Sequence, residues 1–451
     1  MKKVTAGIVL MVVTSVASGA MLDLQPQIDA VTAKGGGVVR VEKGEHEVKP
    51  FELKSNITLE LADGATILAS TNIADYVTRG ECPVFIYADH ATNVAIVGKG
   101  TINGRGGGFR ETAKLRGEDQ PKTLPLLMRF SRCRNVRLEG FHYTNPGSWA
   151  CHLRNCDGVK VKGTSCFNYC NKMNDGLDIE SCNVTVEDCD FYADDDSFCF
   201  KAESDKSFSV TNVVVRNCRM GSICNAIKFG TGSYNAFRDI TIENCELRRS
   251  PGAWRWDWRK QMPGVTNRYY GRIASSITGV PPRDGMPARR PSNITLRNIS
   301  LVAPGGGTPK EASDVVPEKD CAYPEAFMFN RMALPAYGFY VRHADDIRFE
   351  NVKVETATPD ARPEFYMEDC SRSEMTAALR KRLLPETDKF LAYNAVIASA
   401  HAYAARRDLF ASIYCCHTPP SWADSVRKGT FIPFANVVNG ALLDYDWTDL
   451  L

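Results

Sequence analysis

"NVRLEGFHYTNPGSWACHLRNCDGVKVKG", residues 135–163, states one phrase twice. Asn135 opens Val-Arg-Leu-Glu-Gly, and 23 residues later Gly158 opens Val-Lys-Val-Lys-Gly. In each, a turn-forming residue precedes a two-residue apolar–polar alternation, the pattern of a short β-strand with one buried face. Outward along the chain the phrase recurs at Asn56, Asn93, Asn183, Asn212, Asp239, Asn293 and Asp346. Between Asn135 and Asp239 the intervals are 23, 25, 29 and 27 residues. Such intervals are too long for hairpins and hold no helical periodicity, so they predict a solenoid whose units bury their apolar faces against one another. The expected fold is all-β, a right-handed single-stranded parallel β-helix over residues 21–372. The 54 residues between Asp239 and Asn293 mark an extra coil or a projecting loop.

The ends differ from the middle. Residues 1–20, MKKVTAGIVLMVVTSVASGA, join Lys2 and Lys3 to a short apolar run ending in small residues, which reads as a Sec signal peptide cleaved near Ala20. The run is short for a membrane span, so the mature chain is expected in the periplasm or outside the cell, free of the membrane. Residues 22–34, LDLQPQIDAVTAK, read as an amphipathic helix stopped by Gly35-Gly36-Gly37 and suited to capping the open edge of the first coil. Residues 373–451 read as a helical appendage that packs on the solenoid or on a second subunit; the oligomeric state is not legible.

The 451 residues are 44% hydrophobic and 24% charged with a net charge of +2, which suits a large core and offers no basic excess for nucleic acid. Sixteen cysteines in an exported chain raise a disulfide framework. Yet Cys133, Cys156 and Cys182 fall at matching places in successive phrases, as do Cys189, Cys218 and Cys245, so stacked buried thiols are expected for most. No CxxC…CxxC or HExxH is present, and neither metal nor cofactor is expected.

Within "NDGLDIESCNVTVEDCDFYADDDSFCFKAES", residues 174–204, acids gather at Asp175 and Asp178 and again at Asp194, Asp195 and Asp196. Asp175 and Asp195 are 20 residues apart, close to one coil, and adjacent coils lie about 4.8 Å apart. Like charges that close raise the pKa of one member and pair a protonated acid with an ionised base, as glycosidic hydrolysis requires. Two other uses fit the spacing, an oxygen cage for calcium and a polar turn of solvated carboxylates. Lys201 and Lys228 follow and offer cations for a sugar carboxylate. Trp149 and His152 lie one coil before Asp175, where an aromatic would either stack on a sugar ring or fill the coil.

These pieces together resemble glycoside hydrolase family 28, the polygalacturonases and their relatives, over most of residues 22–371. The resemblance rests on KGGGVVRVEKGEHEVKPFELKSNITLELADGATILAS, GKGTINGRG from Gly98, NPGSWACHLRNCDGVKVKG, MNDGLD and ADDDSFCFKAES, in that order. It implies that the family's Asn-Thr-Asp falls on Met173, Asn174 and Asp175, and its Gly-Asp-Asp on Asp194, Asp195 and Asp196. Asp195 would then be the general acid, Asp175 and Asp196 would position and deprotonate the attacking water with inversion, and Lys201 would close the acidic motif. Asn225 stands where the family's Gly-His-Gly histidine falls, a substrate-binding position. The family's Arg-Ile-Lys motif has no clean counterpart; GAWRWDWRKQ, with Arg255, follows instead as an aromatic and basic loop beside the groove. Arg342 and His343 are read as structural.

Three functions remain open from sequence: a hydrolase of a uronic-acid-containing polysaccharide such as pectin, polygalacturonan or rhamnogalacturonan, a calcium-dependent polysaccharide lyase, and a glycan-binding solenoid without catalysis.

Overall fold

The computed structural model describes residues 9–13, 21–79, 82–109, 124–171, 173–202, 204, 208–222, 226–233, 237–248, 274–278, 281–282, 290–303, 305–317, 334–356, 358–371, 374–375 and 436–438. They form a parallel β-helix, divided into two compact units: Met1–Leu177 with Ser181–Asp190, and Asp178–Glu180 with Phe191–Leu451.

The residue that opens each repeated phrase turns out to be a backbone requirement. Asn56, Asn93, Asn135, Gly158, Asn183, Asn212, Asp239, Asn293 and Asp346 all have φ between 52° and 75°. Glycine enters this left-handed region without cost, and Asn and Asp enter it through local hydrogen bonding, whereas other side chains clash there. Stacking then adds amide ladders. In the first unit Asn93 Nδ2 donates to Asn56 Oδ1 at 2.9 Å, and Asn135 Nδ2 to Asn93 Oδ1 at 2.6 Å. In the second, Asn244, Asn298 and Asn351 each donate to the amide oxygen one coil earlier, at 3.3, 2.7 and 2.9 Å, beginning from Asn217.

Three rows of strands make up the first unit. Val39, Leu59, Ile96, Leu138 and Val161 lie opposite one another in parallel register, all buried. His46, Ile67, Ile102, Tyr143 and Cys166 form a second such row, and Phe51, Ile86, Met128 and Cys151 a third. Each aliphatic side chain buried this way contributes roughly 1.5–3 kcal/mol relative to exposure. The strand Val9–Val13, in the apolar run near the start of the sequence, pairs in parallel with Gly37–Val41. A helix spans Gln25–Thr32 and buries Ile28 and Val31. It ends before Gly35 at φ 95° and Gly36 at φ 115°, where the chain reverses. No described helix is long and apolar enough to cross a membrane.

The second unit repeats the plan. Val213, Ile240, Ile294 and Ile347 are in parallel register, as are Leu247, Leu301 and Val354. Because Ile240 pairs directly with Ile294, the 54-residue interval is one coil carrying a long insertion, and the extra-coil reading is set aside. Aromatic rings stack with the strands, Phe200 on Phe229 at 4.4 Å and Phe339 on Phe365 at 5.4 Å. Of the segment read as a helical appendage, the described residues are extended: Glu374–Met375 pairs with Arg348 and Phe349, and Asn436–Val438 runs antiparallel to the strand at Ile227. The remainder lies outside the described residues.

The twelve described cysteines are free thiols, ten of them buried. Cys133, Cys189, Cys218 and Cys245 each donate to the carbonyl two residues earlier, at 3.1–3.3 Å. One expectation about them is corrected. Ser181, fully buried, donates to Leu153 O and accepts from Cys156 N, so it follows Cys156 in the inward row, and Cys182 is displaced outward to a half-buried position.

Candidate active site

In the second unit the two-residue alternation fails where the acids are. The strand Phe198–Ala202 is buried at all five positions. Phe198, Phe200 and Ala202 point into the core, with Phe198 and Phe200 rings 5.2 Å apart. Cys199 and Lys201 point the other way, outward, yet are 0% and 2% exposed. Lys228 lies opposite Cys199 in register and is 3% exposed.

Charges so far from water require partners. Lys201 Nζ lies 3.3 Å from Asp178 Oδ1 and donates to Cys199 Sγ at 3.3 Å. Lys228 Nζ lies 3.0 Å from Asp196 Oδ2. Burial holds the Cys199 thiol well above its ordinary range, against the lowering effect of Lys201, so a neutral S–H sits beside the Lys201 ammonium. Glu180, 1% exposed, accepts from Ser204 N at 2.6 Å. The bend carrying the acids is tied down beside them: Ser222 Oγ donates to the Asp195 carbonyl, and Ser197 Oγ to Phe191 O at 2.7 Å. Adjacent carboxylates thus receive different surroundings. Asp196 is buried in an ion pair, whereas Asp195 keeps partial exposure.

In the first unit, Asp175 ends a loop organised by three asparagines. Asn168 Nδ2 donates to Asp175 O at 3.2 Å, and Ala150 N to the same oxygen at 3.1 Å. Asn171 donates through Nδ2 to Gly106 O and Gly147 O at 2.7 and 3.1 Å. Asn174 accepts from Asn171 N at 2.8 Å and donates to Pro146 O and Ser148 O at 3.2 and 3.0 Å. Asp175 itself is 2% exposed. Trp149 is partly buried and meets His152 edge-on at 5.4 Å.

Residues 36–267, more than half of the chain, match the glycosyl hydrolases family 28. This chain belongs to glycosyl hydrolases family 28. It is 26% identical over 248 residues to a probable polygalacturonase of Vitis vinifera, covering 50% of each chain, so it spans about half the length of that relative. It is 22% identical over 328 residues to an endo-polygalacturonase of Pectobacterium carotovorum subsp. carotovorum, covering 59% of this chain and 81% of the relative. Among solved structures, the family 28 exopolygalacturonase of Yersinia enterocolitica aligns with a TM-score of 0.50 at 17% identity, over 80% of this chain and 78% of the other, and shares the fold.

For a family 28 chain, two expected site residues cannot be placed: Asn225 and Arg255 lie outside the described residues. Lys201 and Lys228, read as cations for a sugar, lie beside the chain's own Asp178 and Asp196. Met173, at the first position of the family's Asn-Thr-Asp, has φ 55°, a conformation that asparagine tolerates and methionine does not favour. Sequence reasoning missed Glu180 and Arg129, which are 1% and 5% exposed. Arg129 had a signal, a lone cation inside the apolar strand LLMRFS. Among the described residues, no group of three or more His, Cys, Asp or Glu side chains lies where it would hold a metal ion.

Proposed function

We propose that the chain is an exported, inverting glycoside hydrolase acting on a uronic-acid-containing polysaccharide, with pectin, polygalacturonan or rhamnogalacturonan as the class. Asp195 protonates the leaving oxygen, and Asp175 and Asp196 orient and deprotonate water. The observation that carries this reading is the unequal treatment of two neighbouring acids. Lys228 engages Asp196 in a buried ion pair, while Asp195 stays partly open, as a group that must reach a glycosidic oxygen does. The family membership and the order of the acidic motifs support the same assignment. The polygalacturonase names of the relatives support the substrate class.

The test is the purified chain and Asp195→Asn, with and without EDTA, on a panel of pectic polysaccharides, following reducing ends and ultraviolet absorbance. Reducing ends without absorbance, abolished by the substitution and indifferent to EDTA, are expected, with the opposite anomer formed first by NMR. Absorbance removed by EDTA would identify a lyase, and silence on every substrate would leave a glycan-binding solenoid.

A further inference from the structure

One row of outward side chains in the first unit is not used by the acids. Glu52 lies opposite Tyr87, Tyr87 opposite Arg129, and Arg129 opposite His152, with backbones about 4.8 Å apart from coil to coil. The alternate positions, Phe51, Ile86, Met128 and Cys151, point into the core. The outward face of a solenoid sheet ordinarily meets water, yet Arg129 and His152 are 5% and 4% exposed. Aromatic carbon lies along the row: Trp149 and Tyr87 pack on Cys82, Val84 and Leu126, and Trp149 meets His152 edge-on. Burial, reinforced by Asp89, raises the Tyr87 hydroxyl above its ordinary range, leaving it a neutral hydrogen-bond donor. The row also adjoins the coil of Asp175, since Ala150, between Trp149 and His152, donates to Asp175 O at 3.1 Å.

A guanidinium presents a rigid fork of donors that matches a carboxylate, and it does so most strongly where water is scarce. An indole beside it offers an apolar face to the C–H side of a pyranose. We infer that Arg129, with Tyr87, His152 and Trp149, forms a uronate subsite in which the guanidinium takes the sugar carboxylate and the indole lies against the ring. The inference rests on the polysaccharide reading above. It places a carboxylate-recognising cation in a chain whose sequence lacks a clean Arg-Ile-Lys.

The experiment uses the full chain carrying Asp195→Asn, titrated calorimetrically with trigalacturonate and with its fully methyl-esterified form. Adding Arg129→Met is expected to weaken trigalacturonate about ten- to a hundredfold, the range for a hydrogen bond to a charged group, and to leave the ester unchanged. Arg129→Lys keeps the charge and loses the fork; it is expected to weaken the acid alone, and less. Equal loss on both ligands would assign Arg129 to the framework and overturn the subsite, as would unchanged affinity or a parent that binds neither ligand. Reducing-end release by the unsubstituted chain separates the two readings. Arg129-dependent binding without release sinks the hydrolase and leaves the subsite; release with Arg129-independent binding sinks the subsite alone.

Discussion

Two rows in the unit Phe191–Leu451 are laid down by the same coil period and treat polar groups in opposite ways. Asn217, Asn244, Asn298 and Asn351 stand at the surface, each amide bonded to the next. Cys199, Lys201 and Lys228 stand on the outward face of the neighbouring strands, buried, with their charges met by aspartates. The first row answers a demand of the backbone, a left-handed turn that recurs at every coil. The second answers no such demand. A carboxylate and an ammonium taken out of water are costly to the fold, and hydrophobic residues would fill the same space as well or better. The regular row therefore reports architecture, and the buried outward row, on the function proposed above, reports chemistry.

The contrast can be broken at its most sensitive point first. Asp195→Asn is expected to reduce reducing-end release by about 10²–10⁴-fold, the usual contribution of a general acid, with the unfolding midpoint unchanged because the carboxyl is partly exposed. A retained rate would remove the second row from catalysis.

Lys228→Met removes the cation paired with the buried Asp196 and is expected to cost about 3–5 kcal/mol in denaturant unfolding. Adding Asp196→Asn should restore most of that stability while activity stays lost. An unchanged midpoint in the single variant would mean that the ion pair contributes nothing distinctive.

On the surface row, Asn244→Ala removes an amide bond on either side and places a β-carbon at φ 54°, for an expected loss of about 1–2 kcal/mol. Asn244→Gly should recover the backbone share. Both variants should cleave at the parent rate, and a rate that falls with stability kept would blur the distinction between the rows. Met173→Asn runs the same logic in reverse, placing a tolerant residue at φ 55°, and is expected to stabilise by about 1 kcal/mol in the same melts.

The smallest effect is expected from the thiols. Burial pushes Cys182 up to about 11 and Cys370 up to about 12, from an ordinary value of 9.0. Below pH 9 these thiols are protonated whether the chain is folded or not, so their contribution is fully present. Above it the unfolded chain ionises first, and stability falls as pH rises towards 11 and 12. Thermal melts across that window should show the decline, and Cys182→Ser with Cys370→Ala should make it shallower without removing it, since Cys156, Cys199 and Cys245 are raised in the same direction.

The sequence disclosed the coils because Asn, Asp and Gly at the phrase openings are backbone requirements, and those are local. It disclosed the acids because Asp194–Asp196 is a rare cluster. It did not disclose where Ser181 replaces Cys182 in the inward row, since that one-residue difference is set by contacts with Leu153 and Cys156 one coil away. Nor did it disclose the burial of Lys201, Lys228 and Arg129. A lysine in alternation reads as solvated, and only what covers a strand from outside decides otherwise. The 54-residue interval was ambiguous for the same reason, because the pairing of Ile240 with Ile294 is a fact about neighbours in space.

The asparagine ladder of the second unit runs in one direction. Asn351 Nδ2 donates a hydrogen bond to Asn298 Oδ1, Asn298 to Asn244, and Asn244 to Asn217. The interior rungs, Asn244 and Asn298, therefore each receive from one side and give to the other in the same way, so a coil bearing asparagine between them meets matching valences above and below. The coil is in this sense a transferable part. Duplicating or deleting one whole rung leaves the joints chemically identical, which gives a lineage of such proteins a route to longer or shorter binding surfaces without redesigning the frame.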